Sequence, residues 1–105
     1  MAYCAEVTLA GDPYGMHTRP AAAVSEAIRG LDATIIFTGS GKEVAIDMSI
    51  PMLSLMQAAT DLNLGHGARF RISCKGPQAE TAFEALREVL TTSFFNGSLF
   101  TVIQV

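Results

Sequence analysis

The chain has 105 residues, of which half are hydrophobic and 16% are charged, and its formal net charge is −3. This length and composition predict one domain with a single modest core and exclude a disordered chain. The small negative charge argues against nucleic acid as the main partner, and no apolar run is long enough to insert in a membrane as a helix. The first residues lack the pattern of a signal peptide, so we expect a cytoplasmic location.

The first half of the chain predicts a strand, a helix and a hairpin. Residues 5–10 alternate apolar and polar side chains, which indicates a strand. Apolar residues at helical spacing predict a helix over 18–29. Two further strands, 33–38 and 42–48, flank a short glycine-rich turn at 39–41 and are expected to pair as a hairpin.

The second half predicts a helix, a strand and another helix. The second helix should begin near residues 49–51 and end at about 61, and four residues form its apolar stripe: Met52, Leu53, Met56 and Ala59. Residues 68–75 alternate as a strand, and a third helix should run from about 76 to 92. The last residues are apolar and rich in β-formers, so they are expected either to add an edge strand or to dock on a neighbouring chain.

The order of elements is β-α-β-β-α-β-α, with a possible extra C-terminal strand. Because the strands alternate between an apolar and a polar face, the pattern predicts one antiparallel sheet with water on one side. The expected fold class is therefore α+β: an open-faced sandwich with three helices on one face of the sheet. We expect a single domain over residues 1–105, with a core at about 5–91 and an apolar C-terminal extension at 93–105.

The cysteines, Cys4 and Cys74, are predicted to be ordinary structural thiols. Their separation does not match a metal-ligand pair, and two cysteines make no disulfide framework. Alternation within their strands places Cys4 on the solvent face and Cys74 on the core face. The two sulfurs should therefore lie on opposite sides of the sheet.

His17 stands at the predicted start of the first helix, and Arg19 follows two residues later. A helix N-terminus has unpaired N–H groups and a partial positive charge, which together bind phosphate, and a guanidinium can add a charge-assisted contact. The same positive end disfavours imidazolium, so we expect a neutral, nucleophilic imidazole. An ordinary surface or capping histidine is the alternative interpretation of His17.

The segment Gly15-Met16-His17-Thr18-Arg19-Pro20-Ala21-Ala22 resembles the active-site motif of the HPr family, the histidine-containing phosphocarriers of the bacterial sugar phosphotransferase system. The resemblance extends over about residues 5–91. It implies that His17 accepts a phosphoryl group on Nδ1 from phosphorylated enzyme I and passes it to the A domain of a sugar permease. It also implies that Arg19 steadies this group, with no cofactor or metal, in a stoichiometric carrier that is not itself an enzyme. The helix start that supports the phosphate would be formed by Thr18, Pro20 and Ala21.

The expected partner-binding surface beside this motif departs from the common family pattern. Its members are Ala22, Glu26, Met48, Ser49 and Met52. Met48 takes the place of a regulatory serine, which makes Ser49 only a weak candidate for phosphorylation, and Glu26 takes the place of a basic residue. The stretch from Val44 to Gly67 is longer than usual by on the order of seven residues, close to two helical turns, so we expect a longer second helix.

Two further functions remain open from the sequence. One is a regulatory protein on the same scaffold, which binds targets according to the phosphorylation state of His17. The other is an assembly module that self-associates through the C-terminal extension. Asp12 is close enough in sequence to orient the imidazole, although its turn geometry is open, and His66 is expected to be a loop residue without a site role.

Overall fold

The computed structural model describes residues 2–104 as one antiparallel sheet of five strands with three helices. The strands are β1 (Ala2–Thr8), β2 (Thr34–Gly39), β3 (Lys42–Ala45), β4 (Arg69–Lys75) and β5 (Leu99–Ile103). The helices are α1 (Thr18–Ile28), α2 (Pro51–Asp61) and α3 (Ala79–Val89), and a short 3-10 turn covers Ser93–Phe95. The strand order across the sheet is β3-β2-β4-β1-β5, and the paired neighbours are antiparallel. This architecture confirms the predicted α+β open-faced sandwich.

Alternation along the strands separates a core face from an open face of the sheet. The core face carries side chains that are at most 1% exposed, among them Ala5, Val7, Ile35, Phe37 and Ile72. On the open face, Glu6 lies between two arginines, 3.0 Å from Arg69 and 3.8 Å from Arg71. Exposed ion pairs of this kind contribute little stability. The sheet is therefore stabilised mainly by burial of apolar side chains on its core face.

Several predicted boundaries shift by a few residues. β1 begins at Ala2 and ends at Thr8, and β3 ends at Ala45, three residues before its predicted end. β3 is short because Ile50 N–H bonds back to Asp47 O, which turns the chain away from the sheet. α3 is also shorter at both ends than predicted, and its buried face consists of Ala79, Ala82, Phe83, Leu86 and Leu90.

The predicted apolar stripe of α2 is correct in part, because Met52, Met56 and Ala59 pack against the core. The buried residues of this helix are Leu55 and Ala58, whereas Leu53 is 65% exposed and Met52 and Met56 are half-buried. α2 packs against α1 and the short β3. The helix has 11 residues, the same number as α1 and α3. The greater length of α2 relative to the HPr family pattern stays a prediction.

The two cysteines lie on opposite faces of the sheet, as predicted. Cys74 is buried and pairs across the ladder with Tyr3, whereas the half-buried Cys4 pairs with Ser73 on the other face. Burial, with a smaller contribution from Cys4, raises the pKa of the Cys74 thiol to about 12. Cys74 is therefore an unreactive core side chain at neutral pH.

The C-terminal extension forms part of the domain. β5 pairs with β1 along Cys4–Thr8. Of the two predicted alternatives, an edge strand or docking on a neighbouring chain, the structure therefore shows the edge strand. Phe95 is fully buried, and the ring of Phe100 packs edge-on against Phe83 of α3 at 5.3 Å. No helix in residues 2–104 is both long and apolar enough to cross a bilayer.

Candidate functional site

The loop between β1 and α1 places His17 at the N-cap of α1. His17 has extended backbone angles, φ −114° and ψ −169°, and its carbonyl accepts the first helical hydrogen bond from Ala21 N–H at 2.9 Å. Two anchors hold the preceding residues: Met16 is buried and its N–H bonds to Leu64 O at 2.8 Å, and Gly15 has φ +68° with its Cα against the Leu64 carbonyl. The His17 side chain is left 36% exposed at the rim of the sandwich.

The first turn of α1 presents backbone donors to solvent. The first turn of α1 contains no acidic residue, and the His17 side chain does not cap the helix. Pro20 and Ala21 are buried and fix the first turn against the core, whereas Thr18 and Arg19 are exposed. The N–H groups of Thr18 and Arg19 have no acceptor within the helix, because a helix leaves its first donors unpaired. An anion beside His17 would meet these donors and the positive end of the helix.

Asp12 contacts His17 directly, a contact that the sequence had left open. Its Oδ2 lies 2.9 Å from His17 Nε2, and its Oδ1 accepts a hydrogen bond from Tyr14 N–H at 2.8 Å. The hydrogen bond with His17, followed by that from Tyr14, holds the pKa of the Asp12 carboxyl below its ordinary value. The sequence carried a signal for this geometry, because aspartate in a turn often bonds to the backbone N–H two residues on.

Phe94 and His66 lie near the Asp12–His17 pair, although the sequence analysis did not assign either residue to the site. The guanidinium of Arg19 lies over the ring of Phe94, 5.8 Å from its centroid, and Phe94 belongs to the C-terminal extension. His66 is an exposed loop residue, as predicted, but its Nδ1 lies 3.3 Å from the backbone oxygen of Asp12. The exposed Tyr14 ring faces His17 edge-on at 6.0 Å.

The predicted partner-binding surface divides into two parts. Met48, Ser49 and Met52 line an open groove of about 560 Å³ between the end of α1 and the start of α2. Ala22 and Glu26 are exposed on α1 outside this lining, and Glu26 pairs with Arg29 at 3.3 Å. The Ser49 hydroxyl donates to the Asp47 carboxylate at 2.6 Å, and this bond holds the pKa of the Asp47 carboxyl below its ordinary value.

The site combines groups suited to phosphoryl chemistry. A half-exposed imidazole, a carboxylate, a guanidinium and the donors of a helix N-terminus lie within a few residues of one another. Among residues 2–104, no group of three or more histidine, cysteine or acidic side chains is placed to hold a metal ion. A nucleophilic nitrogen beside an anion-binding helix end can accept a phosphoryl group by direct displacement.

The open-faced sandwich with an imidazole at the start of its first helix defines the class of small phosphocarrier proteins. The sequence model of the PTS-HPr family, described as the phosphorylation site of the HPr component of the phosphotransferase system, matches residues 5–92. The chain therefore belongs to the HPr family of phosphocarriers of that system. β5 lies beyond the matched residues.

Individual relatives agree with the family match. The chain is 35% identical over 78 residues to the phosphocarrier protein HPr of Haloferax volcanii, across 74% of this chain and 82% of that protein. It is 39% identical over 72 residues to the HPr of Vibrio cholerae, across 69% and 76%.

Solved structures show the same fold. The crystal structure of HPr from Bacillus anthracis superposes with a TM-score of 0.61 at 26% identity, across 81% of this chain and 93% of that one. The HPr structure from Thermoanaerobacter tengcongensis gives a TM-score of 0.66 across 85% and 93%, and its 22% identity supports the fold alone.

Proposed function

We propose that this protein carries a phosphoryl group on His17, which it accepts from phosphorylated enzyme I and passes to the A domain of a sugar permease. The half-exposed imidazole at the N-cap of α1, beside a first turn without any acidic side chain, carries this proposal. Membership of the HPr family supports the partner classes. We further propose that the carrier works in the cytoplasm.

The transfer step is a displacement at phosphorus. The lone pair of His17 Nδ1 forms the new N–P bond, and the bond between phosphorus and the donor breaks, with its electron pair staying on the donor. The N–H groups of Thr18 and Arg19 and the positive end of α1 would stabilise the charge on the phosphoryl oxygens. Pro20 and Ala21 are buried, so they hold that first turn in place during transfer. Little chemistry beyond positioning and electrostatics is required of the carrier.

Arg19 has to change partners in this scheme. Its guanidinium lies over the Phe94 ring in the unphosphorylated protein. An exposed cation–π contact contributes roughly 0.5–1 kcal/mol, which a charge-assisted contact with a phosphoryl oxygen can exceed. We therefore infer that Arg19 leaves Phe94 and turns toward the phosphoryl group when His17 is loaded.

The groove between α1 and α2, together with the exposed Ala22 and Glu26 of α1, is the proposed docking surface. Met48 and Met52 give it an apolar, adaptable lining. Glu26 adds negative charge where the family pattern has a basic residue. It therefore favours partners whose contact surface is less acidic than the surfaces that bind the basic residue. The extension pairs with β1 of its own chain, so self-association through it is not part of this proposal.

Incubation with enzyme I and phosphoenolpyruvate tests the carrier function. The full chain should gain the mass of one phosphoryl group, and acid should remove it, because phosphohistidine is acid-labile. His17→Ala should abolish the gain, whereas His66→Ala, which removes the other histidine, should retain it. Labelling of His17→Ala would contradict the assignment. Absence of labelling with several different enzymes I would favour the regulatory protein that reads the state of His17.

A further inference from the structure

We propose that Asp12 is a positioning residue that holds the proton of His17 on Nε2, so that Nδ1 carries the reactive lone pair. The inference rests on the proposed phosphoryl transfer at His17 and adds to it the residue that selects the attacking nitrogen. The geometry that carries it is the 2.9 Å contact between Asp12 Oδ2 and His17 Nε2.

The Asp12 carboxylate is held in one orientation. Its Oδ1 accepts from Tyr14 N–H at 2.8 Å, which leaves Oδ2 directed at the imidazole. The Asp12 backbone is fixed as well, because its N–H bonds to Phe94 O at 2.7 Å and its carbonyl accepts from Gly15 N–H at 3.0 Å. The Asp12 side chain is only 14% exposed, so water competes little for the carboxylate. A rigid acceptor therefore stands on one side of the ring.

In a neutral imidazole one ring nitrogen carries the proton and the other carries the available lone pair. The hydrogen-bond partner of either nitrogen decides which of the two is protonated. An ionised carboxylate can only accept a hydrogen bond, so Nε2 must donate and Nδ1 must keep its lone pair. The lowered pKa of the Asp12 carboxyl keeps it ionised throughout the neutral range. During transfer the Nδ1–P bond forms, the donor keeps the electron pair of the broken bond, and the proton stays on Nε2.

The carboxylate also offsets an unfavourable effect of the helix. As the N–P bond forms, the ring gains positive charge, which the positive end of α1 opposes. Asp12 supplies a negative charge at the far nitrogen and stabilises the charged ring. The other titratable groups nearby do not take this role: Arg19 is a cation, the Tyr14 ring lies perpendicular to the imidazole, and His66 faces the backbone oxygen of Asp12.

Nitrogen-15 NMR of the full chain, labelled at histidine, measures the tautomer directly. At a pH well above the ordinary pKa of histidine, His17 should show a protonated Nε2 and an unprotonated Nδ1. A His17 ring protonated mainly on Nδ1 would overturn the inference. This measurement needs no substitution and no partner, so it stands even if phosphoryl transfer is never observed.

Asp12→Asn tests the consequence for transfer. The amide can keep the bond from Tyr14 through its oxygen and then presents NH₂ to the ring, which favours the proton on Nδ1. Phosphoryl uptake should slow about 10- to 100-fold, the effect of removing a carboxylate that orients a metal-bound histidine. Asp32→Asn makes the same charge change beyond the other end of α1 and should leave both the tautomer and the rate unchanged.

The outcomes separate the two proposals. Wild-type protein that is labelled by enzyme I, together with an Asp12→Asn variant of unchanged tautomer and rate, would confirm carriage and overturn the role of Asp12. A correct tautomer without any labelling would instead overturn carriage. If Asp12→Asn fails to fold, judged from its amide spectrum, the wild-type tautomer alone decides the role of Asp12.

Discussion

The full burial of Phe95 makes the C-terminal extension testable as a part of the core. Phe95→Ala removes a ring that is 0% exposed, in the 3-10 turn that follows α3. Truncation of a fully buried phenylalanine costs about 3–5 kcal/mol, from lost transfer free energy and from the cavity left behind. A domain of this size is typically stable by about 5–15 kcal/mol, so one substitution would remove a large share of the free energy of unfolding.

The same loss can be expressed as a change in melting temperature. Unfolding entropy is about 2.1 cal/mol/K per residue, so for a chain of 105 residues each kcal/mol lowers Tm by about 4–5 °C. Phe95→Ala should therefore melt about 12–25 °C below the wild type. Calorimetry gives Tm, and urea unfolding followed by circular dichroism gives the free energy independently.

Leu99→Ala is the matched control, because Leu99 also lies in the extension but is 64% exposed. This variant should lose less than about 1 kcal/mol, as surface substitutions usually do. If Phe95→Ala lost no more stability than Leu99→Ala, the extension would not contribute to the core. The argument from burial would then be refuted, even though β5 still paired with β1.

Two further substitutions or reagents address the site loop and the thiols. Gly15→Ala should lower the free energy of unfolding by at least about 1–3 kcal/mol, because Gly15 has φ +68° and abuts the Leu64 carbonyl. Gly41→Ala is the control, because Gly41 has φ +76° but lies in open space, so it carries the backbone cost without the clash. Equal losses of stability in urea unfolding would refute the clash at Gly15. At pH 8, iodoacetamide should modify Cys4 much faster than Cys74, whose pKa is about 12; peptide mass spectrometry measures both rates, and equal rates would contradict the burial of Cys74.

The strands were predictable because their signal is local. Side chains that alternate every second residue specify a face whatever the partner strand, and this placed Cys4 and Cys74 correctly before any pairing was known. The stripe of α2 was predictable only in part, since Met52, Met56 and Ala59 pack against the core but Leu53 does not. Apolar residues stand at 52–53, 55–56 and 58–59, so the sequence does not decide which of them lie deepest in the core. Packing against α1 and β3 buries Leu55 and Ala58 most deeply.

The candidate site was predictable in part. His17 and Arg19 follow from a short motif, and helix-end physics explains why these residue types stand there. The place of Asp12 depends on contacts from elsewhere in the chain. Its N–H bonds to Phe94 O, and the loop beneath it is held by Leu64, so residues distant in sequence set the geometry of the turn. A reading along the chain can identify the turn but not where its carboxylate points.

The pairing of β1 with β5 also determines where a tag or a fused domain would lie relative to His17. Cys4 lies opposite Ile103, so the two ends of the described chain run side by side at one end of the sheet. His17 follows the other end of β1, where Thr8 pairs with Arg69 and Leu99. Seven residues of strand, roughly 20 Å, separate the two ends. A protein segment joined to the N-terminal side of β1 or the C-terminal side of β5 would therefore lie away from His17 and leave the approach to the imidazole open.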